Sequence, residues 1–168
     1  MSDVEKENQL LMVSQVMATR QTILPKRLIE PGPSAVEIEK LFLAASTAPD
    51  HDLINPWRFL VIPAHKREDL GELFVQALSE RDPSATDEQL EQARDKARRS
   101  PLLMVLIVDA AKGDPEIDMH ERVLSAGCAV QNFMLLANAM GYGSALTSGK
   151  ALKATCFRAG LEIGRAHV

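Results

Sequence analysis

A chain of 168 residues, 46% apolar and 25% charged, has the length and composition of one globular domain that buries a core without disulfide or metal support. Its net charge of −4 excludes the basic footprint that nucleic-acid binding requires, and no apolar run approaches the length that spans a bilayer. Cys128 and Cys156 lack both metal-ligand spacing and a disulfide framework, and read as reduced thiols of a cytoplasmic protein.

In chain order, Leu10, Leu11, Val13, Val16 and Met17 recur at helical spacing and predict an amphipathic helix over 9–19, which leads into Arg20-Gln21-Thr22. Pro25, Pro31 and Pro33 then break regular structure, with Lys26 and Arg27 between them, until Ser34-Ala35-Val36-Glu37 forms a capping box. The helix it starts turns Ile38, Leu41, Phe42 and Ala45 inward and ends at Ala48-Pro49-Asp50-His51-Asp52-Leu53-Ile54-Asn55-Pro56-Trp57-Arg58-Phe59. The two prolines of that stretch bias their neighbours toward extended backbone and predict a loop held open. It presents carboxylates, a histidine and an amide, and the only tryptophan stands at the start of a strand over 58–62.

Residues 65–81 read as an amphipathic surface helix, and Thr86-Asp87-Glu88-Gln89 as a second capping box opening a charged helix to about Arg99. Pro101 stops it. Leu102 to Val108 is a continuous apolar run, expected of a strand covered on both faces. After a loop with Gly113, Asp114 and Pro115 comes a long, nearly all-apolar helix over 118–140, where small residues in the series Ser125-Ala126-Gly127-Cys128 admit another backbone and predict a subunit contact. Gly141 suits a left-handed helix cap. A short strand over 142–146, the turn Thr147-Ser148-Gly149 and a helix over 150–161 complete a single domain, 1–161, whose element order predicts an α+β three-layer α-β-α sandwich.

The stretch Ala-Pro-Asp-His followed by a short spacer and Pro-Trp-Arg-Phe resembles the corresponding loop of the nitroreductase family, in particular its small single-domain flavoproteins. The resemblance spans about residues 10–160. It implies an FMN-dependent oxidoreductase that draws electrons from NAD(P)H and passes them to a nitroaromatic, quinone or other small-molecule acceptor in a ping-pong scheme. It also implies a homodimer with FMN at the subunit interface. The flavin then carries the redox step, and no side chain is expected to be catalytic.

By the same resemblance, Arg20, Gln21 and Thr22 correspond to a phosphate-gripping segment at the end of the first helix, where the planar fork of an arginine suits phosphate oxygens. Gln21 stands where a basic residue is commoner. Thr47 and His51 match positions that touch the cofactor from the neighbouring subunit, and Asn55 replaces a frequent glutamine. Thr147, Ser148 and Gly149 resemble the turn that closes over the phosphate, with Thr147 where relatives often carry arginine. A Gly-x-Gly-x-x-Gly, a P-loop, a zinc-ligand spacing and a Ser-His-Asp set are all absent from the sequence, which removes the usual rival enzymes.

The last seven residues, Glu162 to Val168, look like the translation of a common sequencing adapter, and relatives of this size continue with a further strand. The expectation is a truncated frame with a non-native tail over 162–168. From it follows the alternative function, a chain that binds flavin or a partner without turnover.

Overall fold

The two apolar runs of the sequence pair as one antiparallel ladder, β1 (Trp57–Val61) against β2 (Met104–Val108), in the register Trp57↔Val108 through Phe59↔Leu106 to Val61↔Met104. In the computed structural model, which describes residues 1–162, helices cover both faces of this ladder. In chain order the helices are α1 (Asp3–Thr19), α2 (Ala35–Ser46), α3 (Arg67–Arg81), α4 (Asp87–Arg94), α5 (Met119–Ala139) and α6 (Thr155–Gly160).

Alternation along the strands sorts the core into two halves. On one face Trp57, Phe59, Leu102 and Met104 pack against α2 and α5 through Leu41, Ala45, Ala129, Phe133 and Ala137. On the other, Leu60, Ile62, Leu103 and Val105 meet Leu70 and Ala77 of α3, Ala97 after α4, and Phe157 of α6. This is the expected α+β three-layer α-β-α arrangement. Phe59 lies 5.6 Å from both Phe42 and Phe133 between ring centroids, and such pairs add about 0.5–1.5 kcal/mol each beyond their burial.

The capping boxes at Ser34–Glu37 and Thr86–Gln89 form as expected, and Gly141 takes φ +89 past the end of α5. Several expectations need correction. The first helix begins at Asp3, because Ser2 and Glu5 form a capping box of their own. It buries none of its side chains: Leu10, Leu11, Met12 and Met17 are all more than half exposed. The charged helix after Thr86 tightens to a 3₁₀ turn at Asp95–Arg98. The strand expected over 142–146 is a single parallel bridge, Thr22↔Ser144, since the facing segment is only briefly extended. The helix expected over 150–161 is broken by extended backbone at Ala154 into a 3₁₀ turn, Lys150–Lys153, and α6. The expected tail lies outside the described residues, apart from Glu162.

Candidate functional site

Two separate clusters hold the residues singled out in the sequence, and α5 runs between them. The first is the loop joining α2 to β1. Rather than an open extended segment it is a tight turn, with His51–Leu53 in a 3₁₀ turn and the non-glycine residues Asp52, Leu53 and Asn55 at φ 53, 56 and 45. Left-handed backbone at such residues persists only where the surroundings impose it.

Those surroundings are specific. Asn55 donates its backbone N–H to Asp50 Oδ2 and its side-chain Nδ2 to the Leu53 carbonyl at 3.1 Å, so the amide closes the turn on itself. From the segment between β2 and α5, Lys112 Nζ donates to the Asn55 carbonyl at 2.9 Å and the Asp109 amide to the Pro56 carbonyl at 2.7 Å. Gly113, at φ +76, lies so near that a Cβ there would stand 2.5 Å from Ile54 Cγ2. That segment is in turn pinned by Arg122 of α5. Its guanidinium, 1% exposed, donates to the carbonyls of Ile117, Asp109, Lys112 and Asp114 at 3.0, 3.2, 2.5 and 2.6 Å.

His51 projects from this braced turn, half exposed, with Nδ1 2.8 Å from Glu121 Oε2 and Nε2 4.0 Å from Asp52 Oδ2. The hydrogen bond to Glu121 raises the imidazole pKa above its ordinary value; partial desolvation opposes this, and the charges of Asp52, Glu121 and Asp114 reinforce it. Beside it opens a cavity of about 380 Å³, lined by Pro49, Asp50, Ile54, Leu124 and Cys128 among others. Asp50 Oδ1 is buried with no hydrogen-bond partner among the described residues.

Thr47, at the end of α2, is engaged locally: its hydroxyl donates to the Ala44 carbonyl at 2.8 Å and accepts from Asn132 Nδ2 at 3.2 Å.

The second cluster sits at the other end of α5. Asn138 donates to Thr19 Oγ1 at 2.9 Å and to the Val16 carbonyl at 3.3 Å, which fixes the C-terminus of α1 and the cap residue Arg20 against α5. A helix-terminal arginine commonly bonds the last carbonyls of its helix; here Arg20 Nη1 is buried and has no partner among the described residues. Gln21 and Thr22 are exposed beside it. The Thr22↔Ser144 bridge and the Ile23 amide, donating to the Ser144 carbonyl at 3.0 Å, lay this segment along the chain that leads to the exposed Thr147, Ser148 and Gly149. Gly143 makes the approach possible, since a Cβ there would stand 3.0 Å from both Ile23 and Leu28.

The structure thus gathers Arg20, Gln21 and Thr22 with the approach to Thr147, Ser148 and Gly149, and separately gathers His51 and Asn55. It does not unite the two sets within one protomer. At about 1.5 Å per residue, α5 carries Glu121 and Asn138 about 25 Å apart. Glu121 was not anticipated, because a residue distant in sequence that touches a loop leaves no local signal. Arg122 left none either: after His120 and Glu121 in the first turn of α5 it reads as a solvated charge, and only packing buries it. Among the described residues no group of His, Cys, Asp and Glu is placed to hold a metal ion, and no helix is long and apolar enough to cross a membrane.

The nitroreductase family model matches residues 28–167. A "Putative NAD(P)H nitroreductase" of Haemophilus influenzae is 35% identical over 136 residues, 79% of this chain and 71% of the relative. YdjA of Escherichia coli K12, which bears the same description, is 31% identical over 73% of this chain and 66% of its own length. Among solved structures, a nitroreductase-like family protein from Bacillus cereus superposes with a TM-score of 0.77 at 21% identity, covering 92% of this chain and 79% of its own. NfnB of Mycobacterium smegmatis, an FMN-dependent nitroreductase solved with NADPH, gives 0.71 at 16% identity, covering 93% and 83%. With the family model spanning most of the chain, a curated relative above three-tenths identity and the shared fold, this chain belongs to the nitroreductase family.

Proposed function

We propose that this chain is an FMN-dependent oxidoreductase that takes electrons from NAD(P)H and delivers them to nitroaromatic, quinone or similar small acceptors in alternating half-reactions. The observation that carries the reading is Arg20 Nη1, a buried cationic donor with no partner among the described residues, in a segment bridged at Thr22 to the chain that leads to the exposed Thr147, Ser148 and Gly149. A phosphate would fit such an arrangement: Arg20 would hold it through its guanidinium, and Thr22, Thr147 and Ser148 would offer hydroxyl donors. Gln21 adds a neutral donor, and Gly149 admits the phosphate close to the backbone. Bound FMN supplies the hydride chemistry, while the chain binds and orients it and shapes what reaches it.

The two clusters at opposite ends of α5 supply one complete site only when a second copy brings its His51 loop to the Arg20 cluster of the first. The exposed apolar side chains of α1, with Val123 and Leu124 of α5, form the face that such a homodimer covers. Thr47 and Asn55 act in this reading through the loop they shape. A cytoplasmic location belongs to the same reading and rests on the two free thiols, Cys128 and Cys156.

The test is the visible spectrum and solution mass of the purified chain before and after addition of FMN, for the wild type and Arg20→Ala. Yellow wild-type protein at twice the protomer mass, with flavin lost from Arg20→Ala, is the expected result. A colourless wild type that takes up no FMN overturns the reading.

A further inference from the structure

The redox reading leaves one contact unexplained, that of His51 with Glu121 at the edge of the cavity between the presenting loop and α5. The cavity, about 380 Å³, is in the range that takes a small organic ligand. Pro49, Ile54, Ile117 and Leu124 give it apolar walls, and its polar lining includes Asp50, His51, Glu121 and Ser125.

Glu121 and His51 lie 70 residues apart in sequence, and their 2.8 Å contact joins a rigid 21-residue helix to a turn held in left-handed backbone. A carboxylate only accepts a hydrogen bond, so the imidazole nitrogen facing it, Nδ1, carries a proton. The remaining nitrogen, Nε2, is then the atom whose protonation changes. We propose that Glu121 is a positioning residue that holds His51 with Nδ1–H on its carboxylate, so that Nε2 donates the proton a neutral oxygen-bearing acceptor, such as a quinone, needs when it is reduced in the cavity. The proposal rests on the redox reading above.

The step balances. Where bound FMN would supply the hydride, the quinone would take its one proton from His51 Nε2–H and leave as the hydroquinone. The electron pair of the N–H bond stays on Nε2, the ring becomes neutral with Nδ1–H still on Glu121, and solvent restores the proton to the half-exposed imidazole.

The groups facing His51 fix the sign of its pH dependence. Glu121 from α5, Asp52 from its own turn and Asp114 from the segment before α5 all favour the imidazolium, and desolvation opposes them. Asp50 and Cys128 line the same cavity, as does Arg122, whose guanidinium is committed to backbone carbonyls. The proton-loaded fraction therefore falls as pH rises through the raised imidazole pKa. The carboxylates around the cavity also disfavour anionic acceptors.

The experiment compares flavin-loaded wild type, Glu121→Gln and Glu121→Ala by two readouts. Ring ¹⁵N NMR of His51 reports its tautomer and titration. The pH profile of kcat is taken with a neutral quinone and with ferricyanide, which accepts electrons without a proton. In the wild type, Nδ1 is protonated in the neutral ring, and the quinone rate falls with the titration of His51. Glu121→Gln keeps the hydrogen bond but loses the charge, so the titration and the quinone profile both move to lower pH. Glu121→Ala, compared per mole of bound flavin, lowers the ratio of the quinone rate to the ferricyanide rate about tenfold or more at every pH. Quinone and ferricyanide rates that fall together, or a quinone profile unmoved when His51's titration moves, overturn the proposal. A wild type without flavin or turnover overturns the redox reading beneath it, and that outcome is seen before any variant is made.

Discussion

Trp57 donates its indole Nε1–H to Ser125 Oγ across 3.2 Å, a bond that ties the first residue of β1 to the N-terminal half of α5. Ser125 is 6% exposed, so water has little access to replace the hydroxyl. Ser125→Ala leaves the indole donor unpaired and is expected to cost about 1 kcal/mol. Chemical denaturation followed by fluorescence measures this directly, because Trp57 is the only tryptophan.

Arg122 holds the segment that buttresses the His51 turn, through bonds to the carbonyls of Ile117, Asp109, Lys112 and Asp114. Arg122→Ala removes all of them from a nearly inaccessible site and is expected to destabilise the fold by roughly 3 kcal/mol or more. Hydrogen exchange tests the local part of this claim: the Asn55 and Asp109 amides should lose protection in the variant before the amides of β1 do.

Glu37 Oε2 accepts from the Ser34 amide at 2.8 Å, the Ser34 hydroxyl at 2.7 Å and Tyr142 Oη at 3.1 Å. The Ser34 bonds, followed by Tyr142, hold the carboxyl below its ordinary value of 4.5. A folded-state pKa below the unfolded one means that the contribution is complete above pH 4.5 and disappears as pH falls through the depressed value. Glu37→Gln is therefore expected to flatten the acid limb of a plot of stability against pH, with the difference from wild type largest above pH 4.5. Equal wild-type and variant slopes would exclude this linkage.

Gly127 stands exposed on α5, and a Cβ built on it meets nothing within 4 Å among the described residues. In a lone protomer Gly127→Ala should add about 1 kcal/mol of stability through helix propensity. If a second copy packs over this face, the larger Gly127→Leu should raise the dimer dissociation constant at least tenfold without unfolding the protomer. Sedimentation equilibrium distinguishes the two effects, and a Gly127→Leu chain that associates like the wild type would move the interface elsewhere.

Much of the architecture is legible from local chemistry. Capping at Ser34 and Thr86, the apolar run through Val108, the long apolar pattern of α5 and the glycine stop at Gly141 each depend on residues within a few positions of one another, so sequence alone sets them. The composition of the presenting loop and the Arg20 segment was visible for the same reason. Tertiary structure decided the rest. Ile54 packs on Gly113, Lys112 caps Asn55 and Glu121 receives His51, and these long-range contacts turn a stretch that reads as extended into a left-handed turn. Tertiary structure alone also sets the span of α5 between the two candidate clusters and leaves the apolar side chains of α1 uncovered. Periodicity reports which side of a helix is apolar, and only packing determines what lies against it.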